Sequence, residues 1–155
     1  MDTIVKIDRS CPFDPASFSG LGKDWSLGEE DECSLSLTEI NLTNIRLETC
    51  LKDKEKRIDG NERIKRLKEL GRVRFDIKIF QTFWKNKDLI PQEWKNKVDG
   101  RTLFVSFDGT ELYGPDGRLY TVFLFWSGKR WRWSPGSIEG SRGFNEPSAV
   151  LINTS

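Results

Sequence analysis

The chain has 155 residues, the length of one ordinary domain. Although 32% of the residues are charged, ten Phe, six Trp and two Tyr supply enough large apolar surface for a core. The net charge is +1 and there is no histidine, which excludes the residue most often used as a general base and as a metal ligand. No segment approaches the roughly 20 consecutive apolar residues of a membrane-spanning helix, and the first ten residues are too charged for a secretory signal, so we expect a cytoplasmic protein without membrane contact.

The pattern along the chain predicts an α+β fold in a single domain, residues 1–155, with short helices packed on one face of a C-terminal antiparallel β-meander. The predicted parts are an irregular N-terminal segment, a mixed and mainly helical region, and the meander; they cover residues 1–34, 35–100 and 101–155.

The N-terminal segment is predicted to be irregular because prolines and glycines interrupt every period. Asp14-Pro15 has the form of a helix N-cap followed by proline at the first helical position, so one short helical turn is expected there. The acidic run 29–32 lacks the ligand spacing of a calcium loop and indicates a solvated loop. Cys11, Cys33 and Cys50 are an odd number at wide spacing, which indicates free reduced thiols.

Residues 34–42 alternate imperfectly between apolar and polar side chains, which predicts a strand with a break near Thr38-Glu39. No period fits residues 43–58, where helix and strand both stay open.

Two helices follow. A capping box at 59–62 and a C-terminal Gly71 predict a helix over residues 60–70. Asp76 is an acceptable N-cap for a second helix over 76–86, whose aromatic stripe is expected to be core. Pro91 predicts a third short turn with Trp94 packing back.

The predicted meander begins with a strand at Thr102–Phe107, a type I′ hairpin turn at Asp108-Gly109 and a return strand at Glu111–Tyr113. After a turn at 114–117, the longest apolar run, residues 118–126, predicts a central strand that is buried on both faces. A last short strand is predicted at residues 149–152.

The turn after the central strand fixes how the residues of the central strand pair with those of the strand that follows it. If Gly128-Lys129 is a two-residue type II′ loop, Trp126 lies opposite Trp131, and Trp133 lies on the same face. The arginines at 130 and 132 then fall on the other face, where guanidinium groups can cover aromatic rings.

Six stretches of the sequence together resemble a family of small uncharacterised bacterial proteins from uncultured lineages. They are IDRSCPFDPASF, EEDECSLSLTEINLTNIRLETCLK, ERIKRLKELG, FQTFWKNKDLIPQEWK, FDGTELYGPDGR and the ending WRW with PSAVL. The resemblance extends over nearly the whole chain. It implies a family and no activity, ligand or cofactor.

The leading functional hypothesis is a non-catalytic binding or interaction module that uses an aromatic sheet face. Trp126, Trp131 and Trp133 are the candidate ligand-binding residues, as a stacking platform for a sugar, a base or a peptide. The alternative reading of the same three residues is that they form the core of the sheet, because a small domain must bury its tryptophans.

A second hypothesis is nucleic-acid binding by the basic segment 63–78. Residues 1–60 hold eight Lys and Arg against thirteen Asp and Glu, whereas residues 61–101 hold twelve against six. This asymmetry indicates either an anionic partner or an acidic segment that packs on the basic one. The candidate contacts are Arg63, Lys65, Arg66, Lys68, Arg72 and Arg74.

A third hypothesis is a histidine-independent hydrolase that uses carboxylates in or beside turns of the meander, namely Asp108, Glu111 and Asp116. Turn chemistry already accounts for two of them, because each precedes a glycine. The sequence therefore predicts no catalytic residue, no metal site and no cofactor, and leaves a protein, a glycan or a nucleic acid as the partner.

Overall fold

The computed structural model describes residues 3–152 and has the expected α+β architecture. Its α-helices in that range are α1 (Glu32–Leu35), α2 (Gly60–Glu69) and α3 (Ile77–Lys85). Single 3-10 turns lie at Pro15–Ser17, Leu42–Asn44, Lys87–Leu89 and Gln92–Lys95. The helices predicted over 60–70 and 76–86 are confirmed, as are the short turns at Asp14-Pro15 and after Pro91.

Eleven strands lie in the same range. They are β1 (Ile4–Lys6), β2 (Ser26–Glu30), β3 (Glu39–Asn41), β4 (Ile45–Glu48), β5 (Arg57–Asp59), β6 (Arg72–Arg74), β7 (Phe104–Tyr113), β8 (Leu119–Trp126), β9 (Trp131–Ser137), β10 (Ser141–Gly143) and β11 (Ser148–Ile152).

Seven of the strands form one mixed sheet in the order β4-β11-β7-β8-β9, with β2 on β7 and β6 on β11. β7, β8 and β9 are antiparallel, but β11 runs parallel to β7. The predicted purely antiparallel meander is therefore corrected to a mixed sheet. Two small ribbons, β1-β3 and β5-β10, stand apart from it.

The Asp108-Gly109 dipeptide does not turn the chain, so the predicted type I′ hairpin is wrong. β7 runs through it for ten residues, with an irregularity in its pairing to β8 between Phe107 and Leu112. Gly109 lies directly against the backbone of Phe75, to whose carbonyl its N–H donates at 2.8 Å. Glycine is used here for a close approach of two backbones, which overrides the local turn preference.

The N-terminal region is more regular than predicted. β2 joins the main sheet, and Asp31 caps α1 by accepting from the N–H groups of Cys33 and Ser34. The strand predicted over 34–42 is therefore wrong in its first half and present only as β3. The segment left open at 43–58 contains β4 and β5.

The two longer helices lie on opposite faces of the sheet rather than on one. On β7, Phe107 packs against Phe80 and Phe83 of α3, with ring centroids at 5.5 and 6.3 Å. Its neighbour Asp108 points the other way and pairs with Arg63 of α2. The aromatic stripe of α3 is core, as predicted, since Phe80 and Phe83 are fully buried.

The register predicted at the last hairpin is confirmed. Trp126 pairs with Trp131 and Leu124 with Trp133, and Ser127 N–H donates to the Arg130 carbonyl at 3.0 Å. The middle of β8 is buried on both faces, as its apolar sequence predicts.

No helix among residues 3–152 is long and apolar enough to cross a membrane.

Candidate binding site

The three candidate tryptophans lie on one face of the β8-β9 hairpin, and they contribute strongly to the core. Trp131 is only 7% exposed and meets the half-buried Trp126 edge to face, with ring centroids 5.3 Å apart. The half-buried Trp133 packs edge-on against Phe18 and Phe80 at 5.3 and 5.8 Å. Most of the surface of these three tryptophans is therefore buried in the core, and part of it remains exposed.

A groove of about 420 Å³ follows β9, the edge strand, where α3 ends beside it. Its walls combine three indole rings with three cationic side chains: Trp84, Lys87, Arg130, Trp131, Arg132 and Trp133. We call this the edge groove. Trp84 reaches it from the last turn of α3 and is stacked on Phe80, with an interplanar angle of 18°.

The three cations of the edge groove have no acidic partner in the part of the chain that the structure describes. Lys87, Arg130 and Arg132 form no ion pair with any residue in the 3–152 range, and no carboxylate lines the groove. Lys87 Nζ sits 3.9 Å from the centre of the Trp84 ring, a cation-π contact, and donates to the Trp84 carbonyl. The groove is thus both aromatic and positive.

A second, smaller groove of about 150 Å³ adjoins the same hairpin, and we call it the hairpin groove. Lys95, Lys97, Trp126 and Gly128 contribute to its walls. Lys95 Nζ lies 4.3 Å from the centre of the Trp126 ring. Because Trp126 contacts Trp131, one aromatic pair connects the two grooves.

Of the three candidate tryptophans, Trp131 and Trp133 line the edge groove and Trp126 lines the hairpin groove. The sequence analysis proposed none of the other four residues of the edge groove, and it expected the two arginines among them to cover rings on the opposite face of the hairpin; these four are Trp84, Lys87, Arg130 and Arg132. Trp84 was assigned to the core stripe of the second helix, which is correct for its Phe80-facing side only. The signal that could have found it is its place in the last turn of α3, where a core-facing ring also reaches the sheet edge.

All four arginines of the basic segment 63–78 form ion pairs, three of them with acidic residues of the first 60 positions. An acidic segment that packs on the basic one was the second explanation of the charge asymmetry. Arg66 pairs with Glu55 and Glu62, and Arg72 pairs with Glu48. The other two pairs are Arg74 with Asp31 at 3.5 Å and the buried Arg63 with Asp108 at 3.1 Å. Of the six candidate residues, Lys65 and Lys68 alone lack an ion pair within the described range.

The three candidate carboxylates serve different local roles. Asp108 is buried, and although burial raises its pKa, the nearby Arg63 and a hydrogen bond from Ser106 outweigh that effect and hold the pKa below its ordinary value. Burial raises the pKa of Glu111. Asp116 is exposed and accepts from the Tyr120 hydroxyl at 2.6 Å, which lowers its pKa. No common cleft is built from them.

The three cysteines are unbridged: Cys11 and Cys33 are exposed and Cys50 is half-buried, where burial raises its pKa. Among residues 3–152, no group of three or more His, Cys, Asp or Glu side chains is arranged to hold a metal ion.

Comparison of the chain with models of protein families, with curated proteins and with solved structures finds no match. The resemblance to an uncharacterised bacterial family stays a prediction.

Proposed function

We propose that the protein is a non-catalytic binding module whose ligand-binding surface is the edge groove, and that its ligand carries both a planar ring and negative charge. The observation that supports this is the composition of the groove: three indoles and three cations that form no ion pair within residues 3–152, with no carboxylate in the lining. A cytoplasmic location belongs to the same proposal, and the exposed unbridged thiols of Cys11 and Cys33 support it.

The charge distribution supports the groove over the rest of the surface. The chain has 25 Lys and Arg against 24 Asp and Glu, so a surface of one sign arises only where cations are left without partners. The arginines of α2 and β6 form ion pairs, whereas Arg130 and Arg132 form none within residues 3–152. A cleft of one sign with low-dielectric walls attracts an oppositely charged ligand.

The rings supply the second half of the recognition. An indole face or edge offers stacking to a planar group, and a cation beside it binds the charge that the group carries. Lys87 now covers the Trp84 ring. Since Lys87 is exposed and its stem is flexible, a planar ligand can displace it and keep its ammonium group as a partner for the ligand's charge.

The test is a titration of the full chain, labelled with ¹⁵N, in which the six indole N–H signals are followed. The probes are AMP, adenosine and inorganic pyrophosphate. AMP is expected to shift the signals of Trp84 and Trp133 and to bind more tightly than either of the others, because adenosine lacks the charge and pyrophosphate lacks the ring.

A pair of matched double variants decides where the probe binds. Arg130→Gln with Arg132→Gln is expected to weaken AMP binding about tenfold, a loss of about 1.4 kcal/mol. Lys65→Gln with Lys68→Gln removes the same charge from α2 and should leave binding unchanged. If no probe shifts either indole signal, or if both double variants weaken AMP equally, the proposal is wrong.

A further inference from the structure

The edge groove and the smaller hairpin groove share one arrangement of side chains. Each places cations beside an indole: Lys87 lies over Trp84 in the first and Lys95 over Trp126 in the second. Lys95, like the cations of the edge groove, forms no ion pair within residues 3–152, and neither does its neighbour Lys97. The repeated arrangement suits a ligand with a repeated chemistry.

The two grooves also lie next to each other at the β8-β9 hairpin. Trp131 lines the edge groove, Trp126 lines the hairpin groove, and their rings are in contact across the β8-β9 ladder. Trp131 is only 7% exposed, so a ligand would pass between the grooves along the hairpin, where Arg130 lines one groove and Gly128 lines the other. A polymer can gain from both grooves where a single small molecule cannot.

We propose that the ligand is single-stranded nucleic acid that spans both grooves, an inference that rests on the proposed binding function of the edge groove. Each nucleotide brings one planar base and one phosphate, which matches the alternation of indoles and cations. Single-stranded chains are bound in this way, by bases stacked on aromatic side chains and a backbone tracked by positive charge. A duplex hides its base faces, and a neutral glycan would leave five cations without partners.

An acidic peptide is the nearest competitor, and the edge strand disfavours it. Within residues 3–152, β9 pairs with β8 alone, so its outer edge is the place where a peptide strand would add. Trp131, Trp133 and Pro135 lie at the alternate positions whose backbone groups point to that edge, because Ser127 and Arg130 form the hydrogen-bonded pair. Pro135 has no N–H to donate, which interrupts such a ladder and blunts the edge.

The experiment measures fluorescence anisotropy of labelled oligothymidylates of two, four, eight and twelve nucleotides with the full chain. Affinity is expected to rise at least tenfold from two to eight nucleotides, because the longer strands reach the second groove. The logarithm of the association constant should fall with the logarithm of the salt concentration, with a slope of about −2 to −3.5 for three to five phosphate contacts.

Charge variants separate the grooves without touching the core. Lys95→Gln with Lys97→Gln should weaken the eight-nucleotide strand about tenfold and leave the dinucleotide unchanged, whereas Lys87→Gln with Arg132→Gln should weaken both. The double variant Lys65→Gln with Lys68→Gln is the control and should weaken neither. Circular dichroism of each variant checks that the fold is retained.

The outcomes distinguish this inference from the proposal beneath it. AMP binding in the edge groove without any gain in affinity with strand length overturns the single-strand inference and leaves the binding module intact. Displacement of the eight-nucleotide strand by an equal concentration of a twelve-residue polyglutamate peptide or of a twelve-base-pair duplex assigns the surface to another class of ligand. If neither AMP nor any strand binds, both proposals fall.

Discussion

Among residues 3–152, the ion pair between Arg63 and Asp108 is the one in which both partners are most deeply buried, and its removal provides a severe test of the fold. Arg63 is 1% exposed and Asp108 is 2% exposed, and the groups approach to 3.1 Å. Arg63 also donates to the Glu146 carbonyl, and Ser106 donates to the Asp108 carboxylate. The pair thereby joins α2, β7 and the segment before β11.

We expect Asp108→Asn to lower the free energy of unfolding by about 3 to 5 kcal/mol, because it leaves a buried guanidinium without its counter-charge. The substitution keeps the side-chain volume, so no cavity contributes to that loss. The penalty is increased by Arg142, a second buried guanidinium whose charge also faces Asp108. For a chain of this length the loss corresponds to a decrease in Tm of roughly 6 to 20 °C.

Urea unfolding followed by tryptophan fluorescence measures this free energy, with Glu69→Gln, an exposed carboxylate on the same helix as Arg63, as the control. The Asp108 pKa is depressed in the folded state, so its charge contributes stability that is complete above the ordinary pKa of 3.8 and is lost as pH falls below it. The gap between wild type and Asp108→Asn should therefore narrow below pH 3.8. A loss under 1 kcal/mol at pH 7 would refute this account of the pair.

Four further outcomes follow from the packing and the charges. Trp131→Ala should cost about 3 to 5 kcal/mol in urea unfolding, while Arg130→Ala should stay within about 0.5 kcal/mol, and equal effects would contradict the core position of the ring. Gly109→Ala should destabilise the protein by about 1 to 3 kcal/mol in the same assay, because a Cβ there would overlap the backbone that precedes α3. A neutral result would show that the backbones of Gly109 and Phe75 are not in close contact. With a thiol reagent at pH 8, the two exposed cysteines should react rapidly and Cys50 slowly, since burial raises its pKa, whereas all three should react at one rate in denaturant. In an NMR titration the Glu55 carboxyl should titrate near pH 2, because hydrogen bonds from Arg66 lower its pKa to about 2. The stability from this pair is therefore present above the unfolded pKa of 4.5 and is lost as pH falls toward 2. A Glu55 carboxyl with an unshifted pKa would argue against the pair.

Local rules predicted the elements whose structure is decided locally. The register of the last hairpin depends only on the two-residue loop at Gly128-Lys129, and it was predicted residue by residue. The two longer helices begin at Asp59 and Asp76, whose side chains cap them as their sequence positions indicate. In both cases the decisive contacts join residues that are close in the chain.

The elements that were predicted wrongly are decided by contacts between distant residues. Asp108 and Gly109 carry the strongest hairpin signal of the chain, yet one is held by Arg63 and the other by the backbone of Phe75. The sequence did contain a partial signal for this. One face of α2 is formed by Gly60, Arg63, Ile64 and Leu67, which follow helical spacing. An arginine on this buried face requires an acidic partner.

The charges of the candidate site could not be predicted from the sequence for the same reason, because ion pairs between distant residues decide which cations stay unpaired. Counting charges along the chain selected the segment 63–78, because it is the most basic stretch, but a charge is available to a ligand only if the fold leaves it without a partner. The acidic residues of the first 60 positions pair with Arg66, Arg72 and Arg74 and remove them from consideration. At the β8-β9 hairpin, by contrast, Arg130 and Arg132 form no ion pair within residues 3–152. Net charge per segment therefore identifies where opposite charges attract during folding, whereas the cations that form no ion pair identify where we expect a ligand to bind.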